Sequence, residues 1–558
     1  MATKTATERA VSLLKLWTHM KDVRRPVEEW WQLIGELVIP RKSYVGESDD
    51  APDASRFRRL YDTTAVDACA TAANGHVSYI TPSGDRWFSW AAPDHVRSDE
   101  VDGWYRRCSL IAAKELAAGN FYTNIHETYE DRVAFGIGSI SVWPGKRNSL
   151  MFRSHEISSY AIGENDEGYI DKWGCEYDWP ISRIVQMFGE DAVEGKMAES
   201  WHKYKNEHGP DTKHKFIHII RPNYKAEPGK IGTKNMPFES AYVALDGPYV
   251  LFETGLIEFP VCCSRYLKHN GSTGVYGFGP AWRALPTISQ LNFNEKLLDL
   301  VAEKSAVPPV LIPDYLEGDV DMRAGGVTTF AANRAKGPHA IPQEWLTGGR
   351  YDVGVDRSDR KREDINKAFH VDLFRMFAEL EKRSQMSVLE VSERTSEKLI
   401  NFSPTFTRFT ADFQVCMNRV FRILLRQGKF PPPPPGALVP DQFTGVLDVE
   451  NPEVLYQSKV ALALQSLQNT GIDRTMQRAL DWATALGDPS SVAEEINLGR
   501  ALHTAGRNEG VPEDIFNTPE EKQAILEQKQ AQEQAMMAAE LAKSLPNQGQ
   551  APGGMPIE

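Results

Sequence analysis

The chain has 558 residues, a formal net charge of −13, 41% hydrophobic and 25% charged residues. It is too long for one hydrophobic core and too apolar to be disordered, so several folded domains are expected. The acidic balance argues against a protein that grips nucleic acid through a basic face, and no apolar run approaches the ~18–20 residues of a membrane span.

The first ~40 residues carry apolar positions at helical spacing. Val11, Leu14, Leu16 and Trp17 come before Pro26, and Val27, Trp30, Trp31, Ile34 and Leu37 after it, so two helices with a break at Pro26 are expected. Residues 43–55 read as a polar loop. Asp62-Thr63-Thr64 is placed to cap an Ala-rich helix from Ala65 to about Ile80. Residues 87–260 mix helices with short strands at 136–143, 216–220 and 249–252, an α+β pattern.

The second half is mainly helical. One helix is expected from Trp282 to about Ser305, and a second from about Lys361 to Lys382. Ile288, Leu291 and Leu298 on the first, and Ile365, Phe369, Leu373 and Met376 on the second, are the candidate packing residues. Between them lies a Pro- and Gly-rich insertion with β-like runs at 310–312 and 327–330. A third helical pattern runs from Ser387 to Gly428. Phe402, Phe406, Phe409, Phe413, Met417, Val420 and Leu424 hold one face and Pro404 is expected to kink it, while Arg408, Arg419, Arg422 and Arg426 read as its solvated face. The run Pro431–Pro435 is expected to be a stiff connector. Residues 452–517 read as short helices and 519–544 as a helix needing neighbours. The last dozen residues are expected to be disordered.

No constellation points to catalysis, a cofactor or a metal. The pairs Gly136/Gly138 and Gly277/Gly279 lack the third glycine of a dinucleotide loop, and no phosphate-cradling G-x-x-x-x-G-K-[ST] is present. Gly271–Gly274 has the wrong spacing for a nucleophile elbow. His214 and His218 stand four apart in a strand-like segment, where they share a face without converging on a metal. Asp319 and Asp321 sit in a Gly-rich turn. The six cysteines have neither zinc-ligand nor disulfide spacing and read as buried, reduced thiols.

Several stretches, in order, resemble the portal (head-to-tail connector) proteins of short-tailed, podovirus-type phages. They are Arg25–Arg41 (RPVEEWWQLIGELVIPR); Leu60-Tyr61-Asp62-Thr63-Thr64 with Ile80-Thr81-Pro82 and Arg86-Trp87-Phe88; Phe135-Gly136-Ile137-Gly138; Tyr276-Gly277-Phe278-Gly279-Pro280 with Ala284-Leu285 and Leu291-Asn292; Met386–Arg394; and Tyr456-Gln457-Ser458 with Ala461 and Ala463. Phe278 stands where the family commonly has Arg, and Val388-Leu389 where it has Ala-Thr.

The resemblance implies an α+β, mainly helical portal-type fold that assembles as a ring of about twelve subunits. It implies a wing at 1–279, stem helices at 280–305 and 351–378, and a clip at 306–350. A channel loop falls at 379–388, a long kinked wing helix with its return segment at 389–451, a crown at 452–517 and a C-terminal barrel helix and tail at 518–558. Lys382 and Arg383 become candidate contacts for DNA passing without sequence specificity. The implied partners are terminase, scaffolding protein, major capsid protein and a tail adaptor, with no membrane. The implied location is a capsid vertex of the virion, after assembly in the host cytoplasm. Another virion protein, such as an adaptor or tail-tube subunit, and a metal-dependent nuclease are the alternatives.

Overall fold

The computed structural model describes residues 2–42, 58–227, 232, 235–269, 274–306, 310–311, 343–344, 351–382, 388–440, 447–457, 525 and 527–528. The chain divides into two units, 1–461 and 462–558, and almost all that is described belongs to the first. The polar loop at 43–55, most of the insertion at 306–350, Asp319 and Asp321, Arg383, and nearly all of 458–558 lie outside the described residues.

A long helix α1 (Ala2–Leu37) opens the chain, followed by α2 (Thr64–Tyr79), β1 (Phe88–Ala91), α3 (Asp99–Ala118) and α4 (Phe121–Phe135). Then come β2 (Ile137–Pro144), β3 (Leu150–His155), β4 (Tyr160–Glu164), β5 (Ile170–Pro180), α5 (Ile181–Phe188), α6 (Gly195–Glu207), β6 (Lys213–Pro222), β7 (Phe238–Ala244), β8 (Val250–Leu256) and β9 (Val261–Arg265). Short strands β10 (Leu267–Lys268) and β11 (Gly277–Phe278) lead into α7 (Pro280–Ala306). After β12 (Val310–Leu311) and β13 (Gln343–Glu344) follow α8 (Tyr351–Ala368), α9 (Val371–Lys382), α10 (Val388–Arg426), β14 (Leu438–Pro440), β15 (Leu447–Val449) and β16 (Glu453–Tyr456). The fold is α+β with more residues in helices than in strands, as expected.

Strands β4 to β8 form an antiparallel sheet in sequence order, and β3–β2–β9 form a second. Alternation along β6 gives the larger sheet two apolar faces. Ile217 and Ile219 meet Ala10, Leu13, Trp17 and Met20 of α1. Phe216, one step out of phase, meets Ile181, Ile184 and Val185 of α5 and Met197 of α6. His214 and His218 engage separate partners, Asp246 at 3.3 Å and Ser240 at 2.8 Å, and burial pushes His218 down to about 3. They do not converge on a metal.

Three expectations about helices are corrected. Pro26 does not break α1, which runs unbroken across it. The missing N–H costs one hydrogen bond, and packing on both sides of it holds the helix. Trp17 and Met20 lie on the sheet, Arg24 donates to the carbonyls of Ser158 (3.0 Å) and Tyr160 (2.6 Å), and Trp31 and Ile34 are fully buried. The helix expected from Lys361 starts ten residues earlier, at Tyr351, and is interrupted between Ala368 and Val371. The segment expected as short helices from 452 opens instead with a strand, β16, paired with β1. α10 continues as helix through Pro404, so no break falls there.

The phenylalanine stripe of α10 is core. Phe402, Phe409, Phe413, Met417, Val420 and Leu424 are all buried to within 1%. Of the basic residues beside it, Arg419 is buried, Arg426 stays exposed, and three are paired with carboxylates. Glu258 takes both Arg419 and Arg426, and Asp448 takes Arg422 at 2.7 Å. All six cysteines are free and buried, and burial raises every thiol above its usual range.

Candidate functional site

The motifs that are scattered in the sequence pair up in space. Gly136 ends α4 in the left-handed region, at φ +85°, and so turns the chain into β2. The backbone of Gly277 passes so close that a Cβ on Gly277 would lie 1.9 Å from the Gly136 carbonyl oxygen. Only two glycines admit this approach. The Phe135 carbonyl accepts from two indoles, Trp31 Nε1 at 3.1 Å and Trp282 Nε1 at 2.9 Å. Trp30 stacks on Trp282 and Trp31 stands edge-on to Tyr276. The tryptophans of α1, the FGIG turn and the YGFGP segment thus form one junction, and α7 leaves from it.

The end of the first motif is tied to α4 by charge. Lys42 Nζ lies 2.6 Å from Asp131 and Arg41 lies 2.9 Å from Glu127, with Glu130 also in contact with Arg41. Burial raises Asp131 to about 6, against the pull of Lys42, and burial lowers Lys42 less than Asp131 and Glu127 raise it. His126, Glu127 and Glu130 are close enough together to suggest a metal site, but the two glutamates already hold these cations.

Asp62 joins the same scaffold to the hairpin. One oxygen, Oδ1, accepts from the Thr64 N–H at 2.8 Å and starts α2, while Oδ2 takes Arg362 of α8 at 2.9 Å. Arg362 also pairs with Glu295 of α7 at 3.0 Å. Asp62→Ala is expected to cost about 1 kcal/mol through the lost hydrogen bond to Thr64 alone, read as a lower urea midpoint with faster amide exchange at Thr64. Unchanged exchange there would show that this bond is idle.

A third pairing links distant motifs through β1 and β16. Phe88 sits opposite Tyr456, and the Gln457 N–H donates to the Trp87 carbonyl at 2.8 Å. The Tyr456 hydroxyl donates to the Thr410 carbonyl of α10 at 3.1 Å.

Helices α7 and α8 pack side by side as the two arms of a hairpin, and β12 and β13 pair at its far end. α7 has 27 residues, about 40 Å at 1.5 Å per residue. Of the candidate packing residues, Ile288, Leu291, Ile365, Phe369 and Leu373 are buried. Leu298 and Met376 are only half-buried. Leu298 lies over Gly354, where a Cβ would come within 2.5 Å of its Cδ2. Lys382 ends α9, and its side chain lies outside what is described.

The sequence reading missed three features. Arg132 is fully buried and has no carboxylate partner among the described residues. It donates to the Thr405 carbonyl at 2.9 Å and faces the rings of Tyr266 and Phe409. The Glu258 pairing was missed because its partners lie 161 and 168 residues away. The third is a second apolar stripe on α7, formed by Phe293 (59% exposed), Leu297 (43%) and Leu300 (45%). At 100° per residue these three lie within about 60° of one another, opposite Ile288 and Leu291. Their i, i+4, i+7 spacing was legible in the sequence.

The family model described as "Bacteriophage head to tail connecting protein" matches residues 10–516. The chain belongs to that family, and portal function comes with the membership. It is 27% identical over 541 residues to the portal protein of Salmonella phage epsilon15, covering 95% of this chain and 93% of that protein. It is 25% identical over 548 residues to the probable portal protein of Bordetella phage BPP-1, covering 96% and 93%. A solved structure of the virion of a native gene transfer agent particle matches 82% of this chain and 99% of its own at 11% identity. Its TM-score of 0.33 is too low to bear on the fold. The family is structural. No helix among the described residues is long and apolar enough to cross a membrane.

Proposed function

We propose that the chain assembles as a closed ring of about twelve subunits at one capsid vertex, the conduit through which double-stranded DNA is packaged and later ejected. In this reading 1–279 is the wing, the hairpin helices at 280–305 and 351–378 are the stem, and 306–350 is the clip that docks terminase and then the tail adaptor. The wing meets capsid and scaffolding protein. Residues 379–388 form the channel loop, where Lys382 and Arg383 touch passing phosphates. The segment 389–451 returns through the wing, 452–517 is the crown and 518–558 the C-terminal barrel and tail.

The observation that carries ring assembly is the two-sided α7. One side packs into its own subunit. The other presents three large apolar side chains to solvent, an arrangement that a free monomer gains nothing from. A ring built by rotation needs each subunit to offer such a face to its neighbour, and a second copy of the chain is the occupant that family membership supplies. Burying three such side chains stabilises each contact by roughly 4–6 kcal/mol before the costs of association.

Leu297→Asp leaves the monomer's core untouched and is expected to abolish rings. Negative-stain images of the wild type should show end-on rings with a central channel, and the variant should run as a folded monomer on size exclusion with light scattering. A variant that forms rings as readily as the wild type would remove α7's outer stripe from the interface.

A further inference from the structure

Helix α1 carries more apolar surface than its own subunit uses. Its inner side is committed. Val27, Trp31 and Ile34 are buried, and the Trp31 indole donates to the Phe135 carbonyl at 3.1 Å. On the other side Pro26, Trp30, Leu33 and Leu37 recur at helical spacing and lie within about 60° of one another around the axis. Trp30 and Leu33 are each 47% exposed, Pro26 is exposed and Leu37 is half-buried. Lysine or glutamate would suit the helix as well at 30 and 33 if that side met only water.

This stripe joins the outer stripe of α7. Trp30 stacks on Trp282 with ring centroids 5.6 Å apart and planes 15° from parallel. Trp282 and Leu300 are separated by about five full turns of α7 and so point the same way, with Phe293 and Leu297 within about 60° of that line. The side of α7 that α1 covers at its root is therefore the side that runs on bare at Phe293, Leu297 and Leu300. The two stripes form one surface, continuous through the tryptophan stack.

Area decides what such a surface can bind. The three side chains of α7 leave roughly 300 Å² bare, well short of the ~800 Å² per partner of a stable protein interface. The α1 stripe roughly doubles that apolar area, which brings it to the share of an interface of that size that is non-polar. A continuous apolar patch this large marks a surface for another protein chain. We propose that Pro26, Trp30 and Leu33 of α1 are the second half of a subunit-contact face, and that a neighbouring copy of this chain covers α1 and α7 together. That the copies close into a ring rests on the function proposed above. That α1 docks a second copy rests on the area and on the continuity of the two stripes.

The test uses the full-length protein with the photo-crosslinking residue p-benzoylphenylalanine in place of Leu33. Illumination should join two copies, seen as a band of twice the chain mass on a denaturing gel. The same residue in place of Thr18, which is exposed on α1 but off the stripe, should give little of that product. Leu33→Asp should raise the protein concentration needed for half-maximal assembly about 30-fold, the effect of losing one well-packed contact. Thr18→Asp should leave it unchanged, and both variants should keep the wild-type circular dichroism, since neither touches a buried residue. Normal rings in Leu33→Asp, with no copy-to-copy product from position 33, would overturn docking on α1 and leave the ring standing. A product from position 33 in protein that never passes beyond a dimer would keep the docking and defeat the ring alone. Neither product nor assembly would overturn both.

Discussion

Gly277→Ala is expected to destabilise the protein by about 3 kcal/mol, the upper end of what overpacking costs in a core. The atom that the new methyl group meets is the backbone carbonyl oxygen of Gly136, 1.9 Å away, not the end of a side chain that could rotate aside. Relief would require β11 or the α4–β2 turn to move, and each is fixed by other contacts. The turn is held by two indole hydrogen bonds to Phe135. The strand is held by its pairing with β10 and by the start of α7 three residues on. Gly136→Ala meets the same clash from the other side, within 2.7 Å of the Gly277 backbone, and adds a positive φ. Gly84→Ala is the control, since nothing lies within 4 Å of its Cβ position. Urea unfolding at neutral pH should lower the midpoint strongly for both junction glycines and leave Gly84→Ala near the wild type. A Gly277→Ala protein as stable as the wild type would mean that the junction is looser than its distances say. The loss should extend to the ring assembly proposed above, because α7 takes its direction from this junction.

Local signals were legible where local physics decides the outcome. The helix start after Asp62-Thr63-Thr64, the strand at 137–144 and the phenylalanine stripe on one face of α10 each follow from a few neighbouring residues. The failures share one cause. Pro26 was read as a break because a proline removes a hydrogen bond, but α1 is gripped from both sides by segments more than a hundred residues away. One helix was expected from about Lys361 to Lys382 because its apolar spacing is unbroken, but Phe374 is pulled into a notch that Gly75 makes nearly three hundred residues earlier. The arginines of α10 were read as facing water because Glu258, the group that neutralises two of them, lies in another part of the chain. What could be seen is that the motifs occur in order. What could not be seen is that FGIG touches YGFGP and that RWF pairs with YQS. Those contacts explain why glycines and aromatics stand at these positions, since each serves a close approach or a cross-strand pairing between segments that sequence alone leaves separate.

Glu258→Gln is expected to cost about 2–3 kcal/mol at neutral pH, because it leaves Arg419 buried and without a counter-charge. Arg419 is 5% exposed, and burial already pulls its pKa below the usual range. The carboxylate of Glu258 receives Arg419 and both terminal nitrogens of Arg426, at 2.7 and 2.9 Å. Burial alone would raise its pKa, but the Arg426 hydrogen bonds and the two positive charges outweigh burial, and the net displacement is downward. A folded pKa below the unfolded value means that the unfolded chain binds the proton first as pH falls. The stability that Glu258 contributes is therefore fully present above about pH 4.5 and is lost as pH drops through the lower, folded value. Urea midpoints of wild type and Glu258→Gln should differ most at pH 7, keep that difference down to about pH 5, and converge on further acidification. A gap that stays constant to pH 3 would assign the effect to shape and not to charge. Arg419→Met in the Glu258→Leu background should restore much of the loss, because a buried ion pair replaced on both sides by apolar groups leaves no orphaned charge. The three groups join the loop before β9 to α10, the longest helix of the scaffold. Loosening them should speed amide exchange in 416–426 before it affects the hairpin, whose ties run instead through Asp62 and the glycine junction.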